Sequence, residues 1–134
     1  MDGGVFRVQV SLNFSAAHSL RNYGGKCERL HGHNFVVETE VEGRELNREV
    51  EILIDFKVLK GMLKEILEEL DHTNLNDHPY FKKNNPSSEN IAKYIFDRLT
   101  SKIYAIEDLK KREIRVNWVS VSENKGSKGI YARR

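Results

Sequence analysis

A segment of seven residues, from Cys27 to His33, concentrates the groups in this chain that could do chemistry. It carries a thiol, the carboxylate of Glu28 and two imidazoles, His31 and His33, in the order Cys-Glu-Arg-Leu-His-Gly-His. Side chains two residues apart on a strand point to the same face, and Gly32 between them allows a close backbone approach. The spacing predicts a pair of metal ligands at the mouth of a strand. The competing interpretation is two ordinary loop histidines, because short motif matches are often fortuitous.

A third histidine, His18, lies at the end of an earlier alternating segment. Residues 5–18 alternate apolar and polar side chains, which predicts a half-buried strand. If the pleat continues through the small Ala16 and Ala17, His18 points to the apolar face. It would then be the natural third ligand beside His31 and His33, although a histidine with only a core or surface role is the ordinary alternative.

The elements that must position these groups follow in order. Residues 33–42 read as a second strand, and an apolar stripe at helical spacing predicts a helix over 56–70 with Asp55 as its N-cap. A second helix is expected to begin after Ser87, which has the side chain of an N-cap. Its first amides, with Ser87 and Ser88, could hold an anion or a polar ring edge. Capping alone also explains both serines.

Two further sites carry carboxylates. Asp71 and His72 follow the first helix, where a carboxylate could tune a histidine base; a histidine that merely favours the helix end is the alternative. Glu123 is predicted at the end of a later strand. A carboxylate there could bind a planar edge with two N–H donors, as a bidentate acceptor does, or could simply be solvated.

The last part of the chain completes the predicted fold. Residues 113–123 alternate, with Ile114, Val116 and Trp118 expected on one face and Val119 and Val121 on the other, and a short strand follows at 129–133. The order strand, strand, helix, helix, strand, strand predicts an α+β domain with a four-stranded antiparallel sheet and two helices on one face. Both sheet edges would be open, so we expect an oligomer in which a barrel closes between subunits.

Length and composition limit the possible functions. The chain has 134 residues, which fits a single domain over residues 1–134. A net charge of +2 without a basic stripe argues against a nucleic-acid partner. A single cysteine suits a reducing compartment, and no segment reaches membrane-spanning length. We therefore expect a soluble, cytoplasmic protein without a membrane partner.

Several short segments, taken together and in order, resemble the 6-pyruvoyl-tetrahydropterin synthase and 6-carboxy-tetrahydropterin synthase family over nearly the whole chain. The segments are Phe14-Ser-Ala-Ala-His18, Cys27-Glu-Arg-Leu-His-Gly-His33, Ile54-Asp-Phe56, Leu70-Asp-His72 with Leu75-Asn-Asp77, Pro86-Ser-Ser-Glu-Asn90 and Val121-Ser-Glu123.

The resemblance implies the tunnelling (T-fold) architecture and a homohexamer, a dimer of trimers, with active sites between subunits. It implies zinc as the cofactor, held by His18, His31 and His33. It also implies Cys27 as the proton-abstracting base, Asp71 and His72 as its relay, and Glu123 as the anchor of the pterin ring.

The implied enzyme is a zinc-dependent lyase acting on 7,8-dihydroneopterin triphosphate. Its product would be 6-pyruvoyl- or 6-carboxy-tetrahydropterin, with loss of triphosphate. The pathway stays open between queuosine-type bases, a biopterin-like cofactor and folate.

Glu28, directly after Cys27, leaves the product open. A related subgroup uses a glutamate in this region to cleave the side chain to 6-hydroxymethyl-dihydropterin. The presence of both residues suggests a dual-activity enzyme as a hypothesis; an exposed loop carboxylate is the alternative. A rival from another class is a non-catalytic zinc-binding module, which would have no use for Cys27, His72 and Glu123.

Overall fold

Residues 3–25 and 28–134 are described in the computed structural model of this chain. The strands are β1 (Phe6–His18), β2 (His31–Gly43), β3 (Thr73–Asn74), β4 (Arg115–Asn124) and β5 (Ser127–Ala132). The helices are α1 (Phe56–Leu70), α2 (Pro79–Lys83), α3 (Ser88–Tyr104) and α4 (Glu107–Lys111), with a 3₁₀ turn at Leu75–Asp77. The predicted α+β class is confirmed.

The sheet differs from the prediction of four antiparallel strands. Among the described residues it has five strands in the order β3-β1-β2-β4-β5, and β3 runs parallel to β1. The extra strand is only two residues long, Thr73 and Asn74, so no alternation in the sequence could reveal it. It begins directly after His72, whose backbone at φ 58° lies where the chain passes from the end of α1 to the edge of β1.

The predicted helix starts are confirmed by their caps. Asp55 accepts a hydrogen bond from the Lys57 amide at 2.7 Å, and Ser87 accepts one from the Asn90 amide at 3.2 Å. The buried side of α3 is the predicted stripe, but in α1 the predicted core residue Phe56 is exposed, because it lies in the first turn. The short helices α2 and α4 fall in segments where no helix was predicted.

One face of the sheet, here called the inner face, packs against the helices. α1 lies against β1, and α3 lies against β4 and β5. Alternate residues of β2 supply the centre of this core, with Phe35, Val37 and Val41 all fully buried. The helices thus cover the inner face, which is also the face to which His18, at the end of β1, and His33, near the start of β2, belong by alternation.

A β-bulge in β4 sets which of its side chains join the inner face. Glu40 pairs with Trp118 and Val41 pairs with Val116, so Asn117 is an extra residue between them. The extra residue shifts the alternation by one, which places Val116 and Val119 on the same buried face. The predicted split of the valines between two faces is therefore wrong.

The opposite, outer face carries a polar network around two largely buried carboxylates. The Asn117 amide donates hydrogen bonds to both Glu40 and Glu42 at 2.8 Å. Arg7 and Arg115 donate to Glu42 from either side at 3.2 and 3.1 Å. The Asn117 hydrogen bond, followed by those from the arginines, outweighs burial and lowers the pKa of Glu42 to about 2.

Glu42 should therefore make folding sensitive to acid. Because its pKa is lowered from 4.5 to about 2, its stabilising effect is complete above pH 4.5 and is lost as pH falls toward 2. We expect Glu42→Gln to lower the free energy of unfolding by about 2–3 kcal/mol at pH 7 and by much less at pH 2.5. Urea unfolding at both pH values measures this difference.

The matched control is Glu38→Gln on the same face of β2, where the carboxylate is 42% exposed and lies 3.5 Å from Lys128. It should change the unfolding free energy by less than about 1 kcal/mol at either pH. An equal loss for Glu42→Gln at pH 7 and pH 2.5 would contradict the assignment.

Both edges of the sheet offer unpaired backbone groups. In the part of the chain that the structure describes, β3 covers only Ala16 and Ala17 of β1, and β5 has β4 as its single neighbour. Within the described parts of the chain, no helix combines the length and apolar character that crossing a bilayer requires.

Candidate metal centre

Three histidines meet on the inner face where β1 ends and β2 begins. The antiparallel register pairs His18 with His31 and Ala16 with His33, which makes the three imidazoles neighbours. Their ring centroids lie 4.7 Å apart for His18 and His31, 4.8 Å for His31 and His33, and 5.5 Å for His18 and His33. The structure therefore brings together the three residues that the strand spacing pointed to.

Glu123 joins this group from β4. One carboxylate oxygen lies 3.0 Å from Nε2 of His18, and the other lies 3.2 Å from Nε2 of His33. With His31, these side chains offer four ligand atoms that all lie within 4.8 Å of one another. The sequence placed Glu123 at a strand end but did not place it among the histidines.

The hydrogen bonds behind two of the rings fix how they present their nitrogens. Nδ1 of His18 lies 2.7 Å from the Pro86 carbonyl oxygen, and Nδ1 of His31 lies 2.7 Å from the Arg29 carbonyl oxygen. A carbonyl oxygen only accepts, so each Nδ1 carries the proton and donates it. Each Nε2 therefore keeps a lone pair toward the cluster when the ring is neutral, which is the form that ligates metals.

Burial also favours the neutral form of His18, which is 1% exposed. Desolvation lowers its pKa from the ordinary value and outweighs the opposing effects of the Pro86 hydrogen bond and the Glu123 charge. The charges of His31 and His33 lower it further. The ring is thus held neutral near pH 7.

These residues fit a divalent metal ion. The buried Nε2 of His18 has no hydrogen-bond partner among the described residues, although a carboxylate oxygen lies 3.0 Å away. Two groups that both accept hydrogen bonds face each other there, which is unfavourable unless a cation lies between them. Three imidazole nitrogens with a carboxylate or an open fourth position form a donor set typical of zinc.

Asp71 and His72 form a second constellation at the edge of β1. Asp71 accepts a hydrogen bond from the Ser15 amide at 2.8 Å through one oxygen, and its other oxygen lies 2.9 Å from Nδ1 of His72. The Ser15 hydrogen bond is the largest cause of the lowered pKa of Asp71. The two adjacent side chains can bond because His72 has φ 58°, a conformation that is uncommon outside glycine.

The His72 ring bonds none of the three cluster histidines in the described part of its own chain. It is 82% exposed, and within residues 3–25 and 28–134 its only bonded partner is Asp71. It lines a cavity of about 380 Å³ together with Ser15 and Asn34, whose side chains bond each other on the outer face of the sheet. One edge of His33 also lines this cavity.

A second cavity, of about 280 Å³, adjoins the cluster on its other side. Glu123 lines it together with Ser87 and Ser88, the two serines that the sequence pointed to, and with Leu20, Glu89, Asn124, Ser127, Lys128 and Gly129. The start of α3 lies close to β5 here, since a Cβ on Gly129 would come within 2.8 Å of the Glu89 nitrogen. Only glycine permits this approach.

The remaining two predicted residues, Cys27 and Glu28, come before β2 in the sequence. Glu28 is exposed, and its amide donates to the Gly25 carbonyl at 3.3 Å. Cys27 lies outside the described residues, so its proposed role as the base stays a prediction. The exposure of Glu28 is compatible with either of its two interpretations.

Sequence reasoning missed the residues that support the cluster from behind. Pro86 and Arg29 act through their carbonyl oxygens, which no pattern of side chains reveals. Asn76 pairs with both backbone groups of Ser19, and Asn85 does the same for Arg21. Asparagines near a loop were visible in the sequence, but nothing there showed that they bind the loop following β1.

Comparison with known proteins agrees with this geometry. Residues 7–134 match the family model described as 6-pyruvoyl tetrahydropterin synthase. A putative 6-carboxy-5,6,7,8-tetrahydropterin synthase of Archaeoglobus fulgidus is 35% identical over 114 residues, which cover 85% of this chain and 93% of that protein. A dihydroneopterin monophosphate aldolase of Pyrococcus furiosus is 35% identical over 105 residues, covering 78% and 84% of the two chains.

A solved structure shares the whole fold. The 6-pyruvoyl tetrahydropterin synthase of Caenorhabditis elegans superposes with a TM-score of 0.81 at 25% identity, covering 98% of this chain and 97% of the other.

Proposed function

Because the chain belongs to the 6-pyruvoyl tetrahydropterin synthase family, we propose that it is a zinc-dependent lyase. Its substrate is 7,8-dihydroneopterin triphosphate. Its product is 6-pyruvoyl-tetrahydropterin, with release of triphosphate, or 6-carboxy-tetrahydropterin, with release of triphosphate and of the two outer side-chain carbons as a two-carbon aldehyde. The observation that carries this proposal is the convergence of His18, His31 and His33, two of them held with Nε2 lone pairs toward a common centre.

The three histidines are the proposed zinc ligands. Zinc supplies a Lewis acid that makes nearby hydroxyls and the adjoining C–H more acidic. The Pro86 carbonyl and the Arg29 carbonyl hold His18 and His31 in the ligating tautomer, which saves the cost of orienting the rings when the ion binds. The cover of helices over the inner face limits the access of water to His18.

Cys27 is the proposed base that removes the side-chain proton of the substrate. A free thiol is only a few per cent ionised at neutral pH, so it needs a neighbouring group that favours the thiolate. The Asp71–His72 pair is the proposed relay for that proton. Asp71 accepts from Ser15 and orients the His72 ring through Nδ1, which leaves Nε2 to exchange protons.

We propose that each active site is shared between subunits of a homohexamer. The position of the His72 ring supports this, since it is 82% exposed and bonds only Asp71 among the described residues. The open backbone edges of β1 and β5 supply the surfaces along which subunits can join. A relay that bonds none of the histidines of its own chain would then reach the cluster of a neighbouring subunit.

Glu123 is the proposed anchor of the pterin ring, whose amino and ring N–H groups suit a bidentate carboxylate. It borders the cavity that the first residues of α3 also line. Ser87 and Ser88 are proposed to complete the ring contacts, with Ser87 also holding the cap of α3.

A second candidate reaction is cleavage of the substrate side chain to 6-hydroxymethyl-dihydropterin. The exposed Glu28 beside Cys27 favours it, because a carboxylate there could act as an alternative base. The similarity to a protein described as dihydroneopterin monophosphate aldolase points in the same direction. Two bases at neighbouring positions in the sequence would give a dual-activity enzyme.

Product analysis tests the proposal. The zinc-loaded protein, incubated with 7,8-dihydroneopterin triphosphate, should release triphosphate and form a tetrahydropterin identified by mass spectrometry, and a chelator should stop both. We expect Cys27→Ala to lose this product by at least about 100-fold, as removal of a general base does. Absence of any turnover by the zinc-loaded protein would favour a non-catalytic zinc-binding module.

The same incubation decides between one activity and two. If Glu28 is a second base, Cys27→Ala keeps forming 6-hydroxymethyl-dihydropterin, and Glu28→Gln loses that product alone. If no hydroxymethyl product forms while Glu28 is intact, the dual-activity hypothesis fails.

A further inference from the structure

The Glu123 carboxylate lies within the histidine cluster, although it also borders the cavity beside the cluster. We propose that Glu123 is an exchangeable fourth ligand, which closes the metal site at rest and leaves it when the substrate ring binds. This inference rests on the proposed function and adds to it a device that opens the metal site only in the presence of substrate.

The distances support a ligand position for Glu123. Its two oxygens lie 3.0 and 3.2 Å from Nε2 of His18 and Nε2 of His33. Two ligand atoms, each about 2.0 Å from a tetrahedral ion, lie about 3.3 Å apart. The carboxylate therefore sits where a fourth ligand would be, at nearly the separation that neighbouring ligands of one ion adopt.

The hydrogen-bonding roles support the same conclusion. His18 donates through Nδ1 to Pro86, so its Nε2 has only a lone pair to offer Glu123. Two acceptors at 3.0 Å repel each other, and the Nε2 atom has no other partner among the described residues. A shared cation removes this repulsion, because both atoms can then donate electron pairs to it.

The location of Glu123 permits the exchange. It lies near the end of β4 and is 28% exposed, so its side chain can rotate without a change in the strand. One side of the carboxylate meets the cluster, and the other side borders the cavity lined by Ser87 and Ser88. The proposed ring site and the metal site therefore compete for the same carboxylate.

This competition has a functional result. While Glu123 occupies the fourth position, the site has four protein ligands, as in closed structural zinc sites. A ring that takes the carboxylate for its own N–H groups frees a coordination position at the moment when the substrate hydroxyls arrive. Ring binding and opening of the site are thereby coupled, and the coupling acts equally in both directions.

Two measurements that do not depend on turnover test this inference. The first is zinc affinity, from competition with a chromophoric chelator, for the unaltered protein and for Glu123→Gln. The second is the visible absorption spectrum of the Co²⁺-substituted protein before and after addition of pterin, the ring without the hydroxylated side chain. Glu38→Gln, on the outer face of β2, is the matched carboxylate control.

We expect Glu123→Gln to bind zinc at least about tenfold more weakly, the lower end of what losing even an outer partner of a ligand costs. We expect pterin to change the Co²⁺ spectrum of the unaltered protein and of Glu38→Gln, but not that of Glu123→Gln. Pterin should also weaken zinc binding by the unaltered protein.

Unchanged zinc affinity in Glu123→Gln overturns the inference, because Glu123 would then not be a ligand. If the Co²⁺ spectrum of the unaltered protein does not change when pterin binds, the inference is also overturned, because the Glu123 carboxylate would then not leave the metal. Neither result touches the proposed reaction, whose separate test is product formation by the zinc-loaded protein. The pterin titration uses the unaltered protein, so it decides even if Glu123→Gln folds poorly.

Discussion

Replacing His31 by alanine is expected to lower kcat/KM for triphosphate release at least about a thousandfold. A bound metal ion contributes several kcal/mol to stabilising developing charge, and about 4 kcal/mol corresponds to a factor of about a thousand in rate. His31 is the best choice among the ligands because it is only half-buried, whereas His18 is 1% exposed and its removal would leave a cavity in the core. Steady-state kinetics with added zinc measures the loss.

The control for this variant is His78→Gln. His78 directly precedes α2, where its Nδ1 accepts from the Tyr80 amide at 3.2 Å and its Nε2 lies 3.3 Å from the Tyr94 hydroxyl, and it has no proposed role in catalysis. His78→Gln should keep kcat/KM within about threefold, because a change outside the proposed site should alter the activation free energy by less than about 1 kcal/mol. If His31→Ala retained activity with full zinc loading, the three-histidine site would not be the catalytic centre.

His72→Asn is expected to lower kcat by about 10² to 10³, the effect of removing a positioned proton-transfer group. Asparagine tolerates the left-handed backbone conformation of His72 at φ 58°, so the fold should be preserved. The ring is also 82% exposed, which leaves little packing to lose. Thermal unfolding should therefore show no more than a small shift for this variant.

Mixing variants tests whether the sites are shared. His31→Ala and His72→Asn are each expected to be defective, but the proposed hexamer, if it contains both, can combine an intact cluster with an intact relay from a neighbour. Random mixing of equal amounts should restore activity at about a quarter of the sites. The mixture is prepared by dissociation and reassembly, and its activity is compared with that of each variant treated alone.

No recovery on mixing, despite proven exchange of subunits, would show that the relay and the cluster act within one chain. The matched control is Glu113→Asn, another exposed residue with a left-handed backbone at φ 58°. It should change neither activity nor recovery, which separates the role of the His72 ring from the effect of substitution at such a position.

The histidine cluster could be predicted because strand alternation is a local property. The apolar pattern of β1 continues through Ala16 to His18, and the pattern of β2 starts with His31 and His33. Antiparallel pairing of neighbouring strands then brings both strand ends together. The helix starts could be predicted for the same reason, because Asp55 and Ser87 each cap the helix that directly follows them in the sequence.

The position of Glu123 could not be predicted, because it depends on a non-local irregularity. Its face follows from pairing between β4 and β2, in which Asn117 is unmatched by any residue of β2. Strict alternation put Val116 and Val119 on opposite faces. A bulge is specified by the contacts of the partner strand, here the two carboxylates that bind the Asn117 amide, and not by the sequence of β4 alone.

The sequence left open whether Asp71 and His72 pair, for a different reason. Adjacent side chains diverge in helical or extended backbone, so the sequence favoured no direct contact. The left-handed conformation of His72 removes that objection, and it is imposed by the return of the chain along β1. The two-residue pairing of β3 with β1 thus fixes a backbone conformation at His72 that local sequence preferences disfavour.

Because of the bulge at Asn117, the direction of the side chains in the second half of β4 depends on the number of residues in the strand. Removing one residue between Val116 and Val121 would rotate the remainder of the strand by half a turn and direct the Glu123 side chain toward the outer surface. Changes of two residues would preserve its orientation while moving it along the strand. Variation in length, rather than in residue type, is therefore the change that this strand tolerates least.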